Sequence, residues 1–287
     1  MRTLTPTACA ALALAAACLW AMPARAGQSY DNCTGTIDTL PAIISTQGTW
    51  CLKQNLTTSM NTGNAITIEG NNITIDCNDF KIGGLQAGLS TNANGIYAFE
   101  RLNVTVRNCG IRGFRDAIWL NGAATFGALI EDNRFDNNTT SAIKIYGGGH
   151  LIRANRIVDT GGRPAATQTN AITLQADQSV VSDNVIVGIT ATAVGGDVVG
   201  IGAYGDANDI SRNFISGLVV DLTGDGLGII TGAATGSTIT GNRVVSPVEM
   251  TSSAIGAGAG NVCQNNLATG FTGAIGACHD AGGNVAH

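Results

Sequence analysis

The chain has 287 residues, 44% of them hydrophobic and only 12% charged, too apolar a mixture for a disordered polymer. Its 39 glycines follow no three-residue period, which excludes a collagen-like helix. A net charge of −5 offers no general basic surface for nucleic acid, so a polyanionic partner would have to meet a local cluster of Lys or Arg.

In chain order, residues 1–26 come first: Arg2, an apolar run from Ala8 to Ala21 and the small-residue site Ala24-Arg25-Ala26 read as a secretory signal peptide. The expected product is a secreted or periplasmic domain over 27–287, and no later stretch is long and apolar enough to span a bilayer. Cys9 and Cys18 would leave with the signal. Six cysteines remain, and disulfides are their expected use in an oxidising compartment. Six allow fifteen pairings; if the chain is a solenoid, near neighbours are favoured, giving Cys33–Cys51, Cys77–Cys109 and Cys263–Cys278 as staples of its two ends.

Between those ends the sequence repeats. Small-Ile segments recur at Ile96, Ile118, Ile143, Ile172, Ile201, Ile229, Ile255 and Ile275, separated by 22, 25, 29, 29, 28, 26 and 20 residues. A second marker keeps nearly the same phase: Asn108, Asn133, Asn155, Asn184, Asn213, Asn242 and Asn265. Alternation over four to six residues rich in Ile and Val reads as strand, and no helical stripe appears after the signal. Strands recurring at this spacing leave no room for helical crossovers and must stack on their predecessors. The fold expected is all-β, a single-stranded parallel β-helix of about nine or ten coils. The isoleucines form an inward column, the asparagines an inward turn ladder, and Gly110, Gly113, Gly188, Gly217 and Gly241 supply turn dihedrals.

Segments such as Asn72-Ile-Thr-Ile-Asp-Cys77, Asn103-Val-Thr-Val-Arg-Asn108 and Gly110-Ile-Arg-Gly-Phe114 resemble coils of right-handed parallel β-helix proteins of the pectin-lyase-like superfamily, over roughly residues 50–280. The resemblance implies right-handedness and a polysaccharide partner, acidic polysaccharides in particular. It carries over no catalytic residue. The polygalacturonase-like Asn-Thr-Asp, Asp-Asp, Gly-His-Gly and Arg-Ile-Lys set, the pectate-lyase-like Arg-x-Pro-x-x-Arg and the epimerase-like Asp-Pro-His are all absent.

A site is therefore sought from alternation alone. With the isoleucines inward, Tyr97, Trp119, Lys144, Thr173 and Gly202 form one outward file, and Phe99, Asn121, Tyr146, Gln175 and Tyr204 form a second. Aromatic rings offer stacking surfaces for sugars while polar neighbours hold hydroxyls, so Tyr97, Phe99, Trp119, Tyr146, Gln175 and Tyr204 are the expected substrate-binding residues. Candidate catalytic groups at the rim are Lys144, His150, Asp177 and Asp206. Asp177 and Asp206 sit at matching places on successive coils, the arrangement of a hydrolase pair, whereas Lys144 or His150 would serve as the base of a β-elimination. The Gly- and Thr-rich segments 159–170 and 188–199 are expected as groove walls, and Arg134, Arg156 and Arg243 as a basic stripe on an adjacent face. No cofactor is marked: Asp221 and Asp225 do not complete an EF-hand loop, so a calcium site has no signature. The alternative is a non-catalytic β-helix, a binding or structural surface module.

Overall fold

The computed structural model describes residues 32–221 and 223–287. The expected signal peptide at 1–26, with Cys9 and Cys18, lies outside the described residues. Cys33–His287 forms one compact unit, a right-handed parallel β-solenoid. A representative turn runs Thr105–Arg107, Gly110–Arg112 and Asp116–Asn121 before returning to Leu129–Glu131 beside its start. Each of these strands pairs in parallel with its counterpart one coil away. The first face is a sheet of 11 strands. The other two faces merge into one sheet of 18, because strands such as Arg243–Gly256 pair on both. The solenoid has about 8 turns, a minor difference from the nine or ten expected.

The isoleucine column is continuous. Ile66, Ile96, Ile118, Ile143, Ile172, Ile201, Ile229 and Ile255 are paired in register and buried. Burying each side chain contributes about 2 kcal/mol, so the column is a large part of the driving force for stacking. The disulfides join Cys33 to Cys51, Cys77 to Cys109 and Cys263 to Cys278.

At the bend after the first face stands the asparagine ladder. Each Oδ1 accepts both the main-chain N–H and the Nδ2 of the Asn one coil before it, at 2.9–3.1 Å, through Asn133, Asn155, Asn184, Asn213, Asn242 and Asn266. Nδ2 also bonds a carbonyl of the coil before, as Asn184 does with Ile152 at 3.1 Å. Two expected members are displaced by one residue. Cys109, not Asn108, donates to Asn133, and Asn266, not Asn265, accepts from Asn242 and passes the ladder on to Asn284. Asn108 (φ 53°) and Asn265 (φ 54°) instead occupy the left-handed position just before the ladder, which Asn also tolerates well. Gly110 is likewise no turn residue; it lies in a strand, where a Cβ would come within 2.9 Å of the Lys81 side chain.

Candidate functional site

The third face carries most of the candidate residues. Its strands Asn94–Phe99, Asp116–Asn121, Ser141–Gly148, Gln168–Asp177 and Asp197–Ala203 present Tyr97, Trp119, Lys144, Thr173 and Gly202 in register as one outward file. The Tyr97 and Trp119 rings meet edge to face at 5.2 Å between centroids. The Lys144 ammonium lies 5.2 Å from the Trp119 ring centre and 5.9 Å from that of Tyr146, so two aromatic faces hold the cation.

A further polar row lies two positions before the isoleucines, at Asn94, Asp116, Ser141 and Asn170. Strict alternation would turn this row inward. It faces out because the residues between, Gly95, Ala117, Ala142 and Ala171, are themselves buried beside the isoleucines. A Cβ on Gly95 would come within 2.9 Å of Ile111 in the core. Two consecutive inward positions thus break the alternation, and the polar row emerges beyond them.

Above this row opens a cleft of about 510 Å³. Its floor is Asp116, Ser141, Asn170 and Thr173, its flanks are Arg115, Lys144, Gln175 and Tyr204, and its wall is the loop carrying Arg163 and Gln168. That loop is strapped across the face: the Arg163 guanidinium donates to the Thr91 carbonyl and, at 2.9 Å, to Asn92 Oδ1. Segment 159–170 therefore supplies a wall as expected. Segment 188–199 does not line the cleft; it backs the wall, with the Asp197 N–H bonded to the Thr167 carbonyl.

Tyr204 reaches the cleft by folding back across Gly202, where a Cβ would stand 2.8 Å from the ring. Burial pushes its hydroxyl pKa up, against a hydrogen bond with Gln168. Gln175 and Tyr204 also border a second depression of about 420 Å³ that includes Tyr146 and Asp177, so the two hollows are contiguous.

Among the described residues, ion pairs engage Arg107, Arg112, Arg115, Arg134, Arg153 and Arg212, and none engages Lys144 or Arg163. Asp116 is 1% exposed, and burial raises its pKa from the ordinary aspartate value against the pull of Lys144, Arg115, the Ser141 hydroxyl and Arg163. In the cleft, Asp116 Oδ2, Asn170 Oδ1 and Thr173 Oγ1 have no hydrogen-bond partner within the protein, and neither has Asn94 Oδ1 outside the cleft lining.

The structure brings Lys144, Gln175 and Tyr204 into the cleft and Tyr146 and Asp177 into its extension, with Tyr97, Phe99 and Trp119 on the adjoining surface. Asp177 and Asp206 are adjacent, but each carboxylate caps the next coil: Asp177 Oδ1 accepts the Asp206 N–H at 2.8 Å, and Asp206 Oδ1 the Thr235 N–H at 2.7 Å.

His150 is a correction. It is 2% exposed, its Nδ1 accepts the Ala128 N–H at 3.1 Å, and its Nε2 donates to the Tyr146 carbonyl at 2.9 Å. Burial lowers its pKa, and with both ring nitrogens engaged it has no lone pair for a substrate proton. It belongs to a second inward ladder, passing from His150 to Ser179, Asn208, Ser237 and Asn261. The arginine stripe is interrupted. Arg134 and Arg156 are in register, but Arg243 lies beyond Val185 and Phe214, against the Phe214 ring. Asp221 accepts main-chain N–H bonds from Gly195, Thr223 and Gly224. Among the described residues no group of three His, Cys, Asp or Glu side chains could hold a metal ion.

Asp116, Ser141 and Asn170 were absent from the sequence-based site, and so was the strap role of Arg163. Their signal was available: a polar residue stands two places before Ile96, Ile118, Ile143 and Ile172.

The family model described as right handed beta helix region matches residues 30–186, which include most of the cleft. No curated protein sequence matches the chain. Among solved structures, it is similar to the DFA-IIIase of Arthrobacter chlorophenolicus A6 in complex with GF2, at 13% identity and a TM-score of 0.50, over 81% of this chain and 67% of that one. It is also similar to the mannuronan C-5 epimerase AlgE6 A-module of Azotobacter vinelandii, at 12% identity and a TM-score of 0.48, over 88% and 80%. At 13% identity the likeness to the first of these extends to the fold alone.

Proposed function

This chain belongs to the right-handed β-helix family, and on that premise we propose that it is a polysaccharide-interacting protein whose third face binds an acidic glycan, one uronate unit seated in the cleft. The observation that carries this reading is the convergence of Arg115, Lys144 and Arg163 on one cleft in a chain of net charge −5. The Arg115 guanidinium suits a planar carboxylate, which such a group binds through paired hydrogen bonds, while Arg163, whose terminal nitrogens hold the strap, adds positive charge. The unpartnered acceptor on Asn170 suits a sugar hydroxyl, which brings a donor to a group that otherwise loses a hydrogen bond on burial. Tyr146 and the ring surface of Trp119 and Tyr97 extend the site for neighbouring sugars.

If the site is catalytic, the arrangement favours β-elimination over hydrolysis. Hydrolysis needs two carboxyl groups flanking one bond. The cleft offers a single carboxyl, Asp116, while Asp177 lies in the neighbouring depression and, like Asp206, holds main-chain N–H groups. Elimination beside a carboxylate needs cations on that carboxylate and a base, roles for Arg115 with Arg163 and for Lys144. Three disulfides support a secreted or periplasmic location.

The test is a panel of uronate-containing and neutral polysaccharides, scored first for binding and then for products. Binding confined to the acidic members, and weakened by salt, is the expected result. Equal binding to neutral glycans, or none to any acidic one, would contradict it. Products with new reducing ends and saturated sugars would instead select hydrolysis.

A further inference from the structure

One group in the cleft has no part in holding a carboxylate and would repel it if ionised: Asp116. It sits in the polar row between Asn94 and Ser141, in register with Ser141, on the coil below Lys144. The Ser141 hydroxyl hydrogen-bonds its carboxyl, while Oδ2 has no partner within the protein. The Arg115 Nε lies 3.7 Å from Oδ2, an ion pair beyond hydrogen-bond distance, on a side chain 40% exposed. A carboxyl this dry is disfavoured as an anion and keeps its proton more readily than a solvated one.

We propose that Asp116 is a catalytic residue, the acid that protonates the leaving sugar oxygen when a uronate chain is broken in this cleft by β-elimination. The inference rests on the acidic-glycan reading above. In the step, Lys144 acts as the neutral amine, its ammonium proton having passed to solvent beforehand, and the hydrogen on the carbon beside the uronate carboxylate passes as a proton to the lone pair of Nζ. The electron pair of that C–H bond becomes a carbon–carbon double bond, and the adjacent C–O bond to the neighbouring sugar breaks. The departing oxygen takes the carboxyl proton of Asp116. Arg115, drawn onto the substrate carboxylate, uncovers Oδ2 as the chain binds. Afterwards Asp116 recovers a proton from water and Lys144 releases one, so the polymer is converted to one ordinary and one unsaturated chain with no further reactant.

The experiment uses the full chain with polygalacturonate, alginate and hyaluronate as probes, reading binding by calorimetry and unsaturated ends by ultraviolet absorbance and mass. Asp116→Asn is expected to bind within about twofold of wild type and to lose product formation by on the order of a hundredfold or more. Asp116→Glu, which keeps an acid, should recover part of the rate and displace the high-pH limb of the rate profile, a change that a merely structural role would not produce. Undiminished turnover in Asp116→Asn overturns the assignment. So does wild-type protein that binds an acidic glycan and forms no unsaturated product, although binding itself would then stand. Failure of wild type to bind any of the probes would instead remove the reading beneath it. If Asp116→Asn does not fold, an unshifted profile in Asp116→Glu serves as the contradicting result.

Discussion

Two polar rows run up this solenoid and end differently. In the ladder from Asn133 to Asn266, side-chain oxygens and amides are consumed by the neighbouring coils, with bonds of 2.9–3.1 Å from rung to rung. In the row Asn94, Asp116, Ser141 and Asn170, the same stacking leaves acceptors on Asn94, Asp116 and Asn170 without donors. The residue types overlap and so does the coil-to-coil spacing; what differs is direction. The closed row points into a bend and is saturated by backbone. The open row emerges beyond two consecutive inward residues and meets a cleft. A β-helix thus uses one device, a stacked polar file, for stability at one bend and, in the proposed function, for recognition on one face.

The sharpest contrast is between asparagines. Replacing Asn184 by Ala removes the acceptor for the Asn155 N–H and Nδ2 inside the fold. Each buried group left unpaired costs about 1–3 kcal/mol, so unfolding in urea should show a loss of about 3 kcal/mol with glycan binding unchanged in the folded protein. Asn170→Ala should do the opposite, losing less than about 1 kcal/mol of stability because its Oδ1 is already unpartnered, but weakening glycan binding severalfold. If both variants lose stability alike, the distinction between the rows fails.

Charge comes next. Lys144→Ala or Arg163→Ala should each weaken binding of an acidic oligosaccharide about tenfold, near 1.4 kcal/mol, with the effect shrinking at high salt. Removing a ring by Tyr146→Ala should cost about 1 kcal/mol of affinity and little stability. The pH dependence of folding carries the same contrast. Because burial raises the Asp116 pKa, the folded state holds a proton that the unfolded state releases above the ordinary value of 3.8. Stability attributable to this group therefore falls as pH rises from that value through the raised one. The wild-type curve minus that of Asp116→Asn should slope downward across this window; a flat or rising difference contradicts a dry carboxyl. Least affected should be Asp177→Asn, within about 0.5 kcal/mol in stability, since Asn keeps an oxygen to accept the Asp206 N–H.

Much of the architecture was legible because two markers at fixed phase leave few solutions. The isoleucines had to stack, and they do. The errors have local causes. Asn108 and Asn265 stand beside the ladder rather than in it, because a left-handed turn position selects the same residue as an inward amide. His150 looked like a rim base because it follows three glycines, Gly147, Gly148 and Gly149. Yet the chain turns inward there, and its ring is spent on Ala128 and Tyr146. Asp116 was overlooked because alternation, counted back from Ile118, placed it in the core. The buried Ala117 breaks that count. The strap made by Arg163 joins residues 71 and 72 positions apart, a link that no local pattern announces.

The central claim, that the open row and its cations form a seat for a uronate, is tested most directly by calorimetry with one uronate oligosaccharide and its carboxyl-reduced counterpart. The two ligands share rings, linkages and hydroxyls and differ only in charge. Wild type should bind the acid at least tenfold more tightly than the reduced form, and the Lys144→Ala, Arg163→Ala double variant should bind the two alike. Equal affinity of wild type for both ligands would contradict the account.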